Sequence, residues 1–133
     1  MKSAALLIGL GLAAAVASVA PAMAAGDAEN GAKIFVKCKV CHAIGPDAKN
    51  KVGPIMNGLP GRKSGTVEGY SYTDANKNSG LTWDEATFKD YITNPKAKIP
   101  GTKMVFVGLP EAQDRDDVWA YLNTFNADGS PKK

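Results

Sequence analysis

The stretch from Ala43 to Tyr72 constrains this chain more than any other. It runs for 30 residues with six Gly and three Pro, and its apolar members, Ile44, Val52, Ile55, Met56, Leu59 and Val67, follow neither a helical nor a strand period. A connection that long without repeating structure is rare inside a compact domain and signals disorder or function. Disorder requires a polar, highly charged composition, which this stretch lacks. Its apolar side chains therefore need something to pack on. The remaining sequence supports only three helices of about 10 to 15 residues, which bury little on their own. A large apolar cofactor resolves both shortages.

From Asp27 to Lys37, Gly31, Ile34 and Phe35 recur with Cys38 at helical spacing, predicting a first helix capped by Asp27 and ending near Cys38. Thr82-Trp83-Asp84-Glu85 has the form of a capping box, and Phe88, Tyr91 and Ile92 follow on one face until Asn94-Pro95 ends a second helix. Pro110 opens a third, weighted at its start by Glu111, Asp114, Asp116 and Asp117. Its stripe is Val118, Tyr121, Leu122 and Phe125, and Asp128-Gly129-Ser130-Pro131 stops it. A short helical turn fits Asp74 to Ser79. No segment alternates as a strand, so the predicted class is all-α.

Residues 1–25 stand apart. Lys2, an apolar run from Ala4 to Ala20 and the small-x-small ending Ala22-Met23-Ala24-Ala25 are the parts of a secretory signal peptide cut after Ala24 or Ala25. The alternative is an uncleaved anchor, but the run falls short of the roughly 20 apolar residues a span needs. The expected mature domain, residues 26–133, keeps 15 basic and 13 acidic side chains once Lys2 is removed, and it works in the periplasm, where disulfides are permitted. With no concentrated basic stripe, a nucleic-acid partner is not expected.

The chain holds two Cys and one His, all within Cys38-Lys39-Val40-Cys41-His42. C-x-x-C-H is the pattern of covalent c-type haem attachment. The two thiols add to the porphyrin vinyl groups, and the adjacent His is held under the iron. A thioredoxin-like dithiol needs a preceding strand and a βαβ context, which are missing. A zinc site needs a fourth ligand, and none remains. A plain disulfide leaves the His and the aperiodic stretch unexplained. Intrachain bis-histidine ligation is excluded, so the sixth position falls to Met56 or Met104. Met104 is favoured because Pro100 and Gly101 can bend its interhelical stretch inward; Met56 lies 14 residues after His42 and fits equally well as a filler. A His/Met pair raises the reduction potential and leaves no open position at iron. The predicted work is electron transfer rather than catalysis.

The segments Cys38 to His42, Gly58 to Gly65, Tyr72 to Asn78, Leu81 to Trp83 and Asn94-Pro95 through Pro100 to Phe106 together resemble the class I c-type cytochromes, which include bacterial cytochrome c2 and mitochondrial cytochrome c. The resemblance spans about Gly26 to Phe125. It implies a small fold of three main helices and long loops around one haem c, bound through Cys38 and Cys41, with His42 and Met104 as axial ligands. It further implies that the Pro54 carbonyl accepts the ring N–H of His42, a bond that orients the imidazole. Arg62, Tyr72 and Trp83 match positions that hold the haem propionates. Asn76, Tyr91 and Thr102 match the hydrogen-bonding group on the Met side, and Phe106 the aromatic beside the exposed edge. Gly31 and Phe35 would cross the last helix near Val118 and Tyr121. The chain departs from the family at Ile55 and Met56, where a polar residue and Leu are commoner, and its tail from Gly129 has no counterpart.

Charge is uneven. Lys37, Lys39, Lys49, Lys51, Arg62 and Lys63 face only Asp47 between residues 37 and 63, while Lys96, Lys98 and Lys103 flank Met104. Glu111 to Asp117 carries four acids. A basic ring with an acidic back would steer acidic partners in a salt-dependent way, and docking is expected of Lys37, Lys39, Lys51, Lys96, Lys98 and Lys103. The resemblance implies a soluble, monomeric carrier that transiently meets acidic faces of membrane complexes. It would take electrons from a cytochrome bc1-type complex to a photosynthetic reaction centre or a terminal cytochrome oxidase. The rival class is an enzyme: a haem peroxidase-like protein, or a thiol oxidoreductase if no haem is attached.

Overall fold

A computed structural model describes residues 25–133, so the expected leader lies outside the described residues except for Ala25. Five helices follow: α1 (Ala28–Phe35), α2 (Asp74–Lys77), α3 (Glu85–Thr93), α4 (Pro95–Lys98) and α5 (Ala112–Leu122). Among the described residues, β-pairing is limited to two isolated bridges, Lys63 with Thr82 and Phe125 with Pro131. The all-α class holds. Helices α1, α3 and α5 correspond to the three expected ones, although α5 begins at Ala112 after its cap Glu111, not at Pro110, and ends at Leu122 before Phe125, which bridges to Pro131; α2 is the expected turn.

Asp27 caps α1 as expected, its carboxylate accepting from the amides of Glu29 at 2.8 Å and Asn30 at 3.2 Å. The cap of α3 differs from expectation. It is Asp84, which accepts from the Thr87 amide at 2.8 Å, and not Thr82. The reason is tertiary: residues 82 and 83 are held extended against the long loop, with the Trp83 amide donating to Arg62 O at 2.9 Å and the Gly61 amide to Trp83 O at 2.8 Å. Asn94-Pro95 ends α3 but also starts α4, which the sequence reading missed. Pro95 needs no N–H in a first turn, and the Asn94 side chain accepts from Ala97 N at 3.2 Å.

Helices α1 and α5 cross at Gly31. A Cβ there would lie 1.9 Å from the Asp117 carbonyl oxygen, so only glycine permits the approach. One turn on, the fully buried Phe35 ring meets Tyr121 at 5.3 Å. The acids at the start of α5 depart from the expected acidic back. Asp117 is buried and accepts from Asp27 N at 2.7 Å, Asn30 Nδ2 at 2.6 Å and Gln113 Nε2 at 2.8 Å, which holds its carboxyl below the usual range. Asp116, also buried, pairs with Lys89 of α3 at 2.5 Å. Only Glu111 and Asp114 of that group remain towards solvent. The core formed around this crossing, with Phe88 and Ile92 of α3, Leu109, Val118 and Leu122, forms one wall of a chamber that the long loop closes.

Candidate functional site

The chamber has a volume of about 530 Å³, within the roughly 300–1,000 Å³ of typical small-molecule sites. Cys38, Cys41 and His42 enter it from the turns after α1, Pro54, Met56, Arg62 and Tyr72 from the long loop, Asn76 from α2, and Trp83 and Tyr91 from α3 and its approach. Thr102, Met104 and Phe106 complete it from the stretch before α5. Every side chain expected to contact haem therefore lines one cavity.

His42 is held by its backbone and its ring. Its amide donates to Cys38 O at 2.9 Å, and its Nδ1 lies 2.7 Å from Pro54 O. A Cβ on Gly53 would come 2.4 Å from His42 Cε1, so glycine leaves the imidazole its place. Burial lowers the His42 pKa, with the positive Arg62 and Lys51 adding to it and the Pro54 bond opposing. A neutral ring that donates through Nδ1 keeps the Nε2 lone pair free for a metal.

Opposite chemistry surrounds Met104. The Tyr91 hydroxyl donates to its sulfur at 3.0 Å, and its amide donates to Thr102 Oγ1 at 3.3 Å. Tyr91 is braced edge-on against Trp83, ring centroids 4.9 Å apart. Met56 shares the cavity, but among the described residues its sulfur receives no hydrogen bond. Asn76 lines the same cavity as Tyr91 and Thr102, and its side-chain oxygen accepts from Thr73 Oγ1 at 3.0 Å.

Arg62 supplies the clearest sign of a missing partner. Its guanidinium donates to Asn57 O at 3.0 Å, yet its Nε is buried with no acceptor among the described residues. Orphaned buried donors are rare in native proteins, and a haem propionate is the kind of anion this one needs. Cys38 and Cys41 are free and half-buried, and burial pushes the Cys38 thiol up to about 11. A redox dithiol requires the opposite shift, which counts against the thiol oxidoreductase. Among the described residues no three His, Cys, Asp or Glu side chains gather as a metal site. A chamber lined by two thiols, a neutral imidazole, a thioether and an orphan cation fits a haem.

The family model for cytochrome c matches residues 28–126. Cytochrome c2 of Rhodoblastus acidophilus is 65% identical over 106 residues, covering 80% of this chain and 99% of the relative. Cytochrome c2 of Blastochloris viridis is 62% identical over 122 residues, 92% of this chain and 95% of its own. The solved structure of cytochrome cH from Methylobacterium extorquens superposes with a TM-score of 0.71 at 49% identity, covering 74% of this chain and 99% of its own. The chain belongs to the cytochrome c family. Within it, this is a class I c-type cytochrome resembling cytochrome c2, an electron carrier and not an enzyme, with covalently attached haem c.

Of the six lysines expected to dock partners, Lys37 and Lys103 also line the cavity. Three have internal partners: Lys51 donates to Lys39 O at 2.6 Å, Lys98 pairs with Asp90 at 2.5 Å and Lys103 donates to Ser71 O. Sequence reasoning missed Tyr70 and Asn57. Asn57 is buried, pairs through its amide with both Gly45 N and Gly45 O at 2.9 and 2.8 Å, and presents the carbonyl that holds Arg62. The Tyr-Ser-Tyr spacing of 70–72 was the available signal for Tyr70; nothing local marks Asn57.

Proposed function

We propose that this chain is a soluble periplasmic one-electron carrier, moving electrons from a cytochrome bc1-type complex to a photosynthetic reaction centre or a terminal oxidase. In this reading residues 26–133 are the mature domain, Cys38 and Cys41 would hold haem c, and His42 and Met104 would ligate its iron. One observation carries the ligand assignment: the imidazole and the thioether meet the same cavity, each fixed by its own bond, His42 to Pro54 at 2.7 Å and Met104 to Tyr91 at 3.0 Å.

When bound, haem c supplies a ferric/ferrous couple. The protein's part is to keep its surroundings unchanged between the two states. His42 offers Nε2 from a ring that Pro54 keeps in one orientation, and Met104 offers a soft sulfur that favours the ferrous state. Arg62 would offer its unpaired Nε to a propionate. Trp83, Phe88 and Ile92, all buried, exclude water from the chamber wall. The signal-like residues 1–25 support export, and the lysines support brief contacts with acidic membrane partners.

An absorption spectrum of purified protein tests the reading. A sharp α band that survives acid-acetone extraction, with a weak sulfur-to-iron band lost in Met104→Ala, is the expected result. An extractable haem refutes the attachment, and a surviving sulfur band moves the ligand to Met56.

A further inference from the structure

The tail from Gly129 has no counterpart in the family resemblance, yet it is built into the fold. Lys132 N donates to Thr124 O and Asn126 N to Ser130 O, both at 2.8 Å, and Gly129 N donates to Asn126 O at 2.9 Å, so residues 126–130 form a closed turn. Asn126, Ala127 and Asp128 are exposed, but Gly129 is buried, because the turn sets it against the long loop. A Cβ on Gly129 would lie 2.0 Å from Gly45 O and 2.5 Å from Asn57 Nδ2, and its φ of +82° is one that other residues rarely adopt. From the loop side, a Cβ on Gly58 would lie 3.0 Å from Ala127 Cα.

Gly45 and Asn57, the two residues that Gly129 backs, are both buried. The Asn57 side chain accepts from Gly45 N at 2.9 Å and donates to Gly45 O at 2.8 Å, so both its polar atoms are committed to one residue and its orientation is fixed. The Asn57 carbonyl in turn accepts from Arg62 Nη1 at 3.0 Å, the one hydrogen bond that this guanidinium makes among the described residues. Contacts therefore run without a gap from the 126–130 turn, through Asn57, to the cavity-lining side chain whose Nε has no acceptor among the described residues.

We propose that the C-terminal turn, acting through Asn57, fixes the place of Arg62 and so sets how strongly its charge favours the ferrous state of a haem in this cavity. Asn57 and Gly129 are then positioning residues for electron transfer, and the tail belongs to the redox site. The proposal rests on the reading above in which Arg62 meets a propionate. A guanidinium stays charged at every working pH, so the turn governs its place and not its protonation. Reduction adds one negative charge to the site, and a cation held near it stabilises that charge. Letting a unit charge shift by a few ångström in a partly buried site alters the balance by a factor of about two to five.

Spectroelectrochemical titration of the haem-loaded protein at pH 7 tests this. Asn57→Ala and Gly129→Ala should each move the ferric/ferrous balance about two- to fivefold towards ferric, a fall of about 20–40 mV at about 59 mV for each tenfold. Amide hydrogen exchange at Gly45 should quicken in both, since its acceptor is removed in the first and pushed aside in the second. The decisive arm repeats both substitutions in an Arg62→Gln background, where neither should move the balance by more than about 1.5-fold, or about 10 mV. Wild-type potentials alongside quickened Gly45 exchange overturn the proposal. Equal falls with and without Arg62 also overturn it, because the turn would then act on the fold and not through the guanidinium. An Arg62→Gln protein with the wild-type potential removes the propionate reading and the proposal with it. Asn57→Ala adds no bulk and keeps the test if Gly129→Ala fails to load haem; failure of both to load makes the turn a structural part only and overturns its redox role.

Discussion

Replacing Tyr91 with Phe isolates one determinant of the reduction potential. The Tyr91 ring is 7% exposed and packs on Trp83 at 4.9 Å, and Phe keeps that ring. What disappears is the hydroxyl that donates to Met104 Sδ at 3.0 Å. Burial holds the Tyr91 phenol above its ordinary pKa, so at neutral pH the proton is present and aimed at sulfur. With Met104 as the iron ligand, as proposed above, a donor there would withdraw electron density from the thioether and set the positive end of a dipole beside it. Both effects disfavour the oxidised state, so deletion lowers the potential. A neutral hydrogen bond is worth about 0.5–1.5 kcal/mol net. With about 59 mV for each tenfold in a one-electron couple, the fall is about 20–65 mV. Spectroelectrochemical titration of wild type and Tyr91→Phe at pH 7 measures it. A potential that rises, or that stays within about 10 mV, refutes the reasoning.

Three further outcomes follow from the same structure. Gly31→Ala places a methyl 1.9 Å from the Asp117 carbonyl. An overpacking cost near 3 kcal/mol less about 1 kcal/mol of helix propensity gives about 2 kcal/mol of net destabilisation, read by urea unfolding of the haem-loaded protein; wild-type stability would contradict it. The depressed pKa of Asp117 gives stability that is fully present above about pH 4, the unfolded value, and is lost as pH falls through the folded value. Asp117→Asn should therefore flatten the acid limb of the stability profile, and an unchanged limb would reassign it. Lys96→Gln should slow association with a membrane partner at low salt and also speed dissociation, whereas Lys98→Gln, whose ammonium already pairs with Asp90, should change association alone; equal dissociation rates would remove the distinction.

What the sequence made legible is what local chemistry decides. Asp27 caps α1 because its carboxylate reaches amides two and three residues on. The stripes of α1, α3 and α5 repeat at helical spacing, and C-x-x-C-H is a five-residue pattern whose use depends on no distant contact. The convergence of Pro54, Arg62, Trp83 and Met104 on one cavity came from family resemblance, since nothing in their spacing brings them together. Where partners lie far along the chain, reading failed. Thr82 satisfies the capping pattern, but pairing with residues 61–64 takes it out of the helix and leaves the cap to Asp84. Asn94-Pro95 has two valid uses, ending one helix and starting the next, and sequence rules name only the first.

Charge shows the gap most sharply. Counting signs along the chain registers Asp116 and Asp117 as an acidic back, yet Asp117 takes its donors from residues 27 and 30, and Asp116 takes Lys89. Counting likewise treats Lys51, Lys96, Lys98 and Lys103 as equivalent. At separations longer than a hydrogen bond but still within a Debye length, about 8–10 Å in physiological salt, they are nearly equivalent, because each contributes one unit of charge whatever its ammonium touches. At contact they are not. Lys51 and Lys103 must give up a carbonyl, and Lys98 a carboxylate, before meeting a partner's acid. The far field that gathers partners is therefore readable from sequence, while the near contacts that hold and release them depend on which lysines the fold has already engaged.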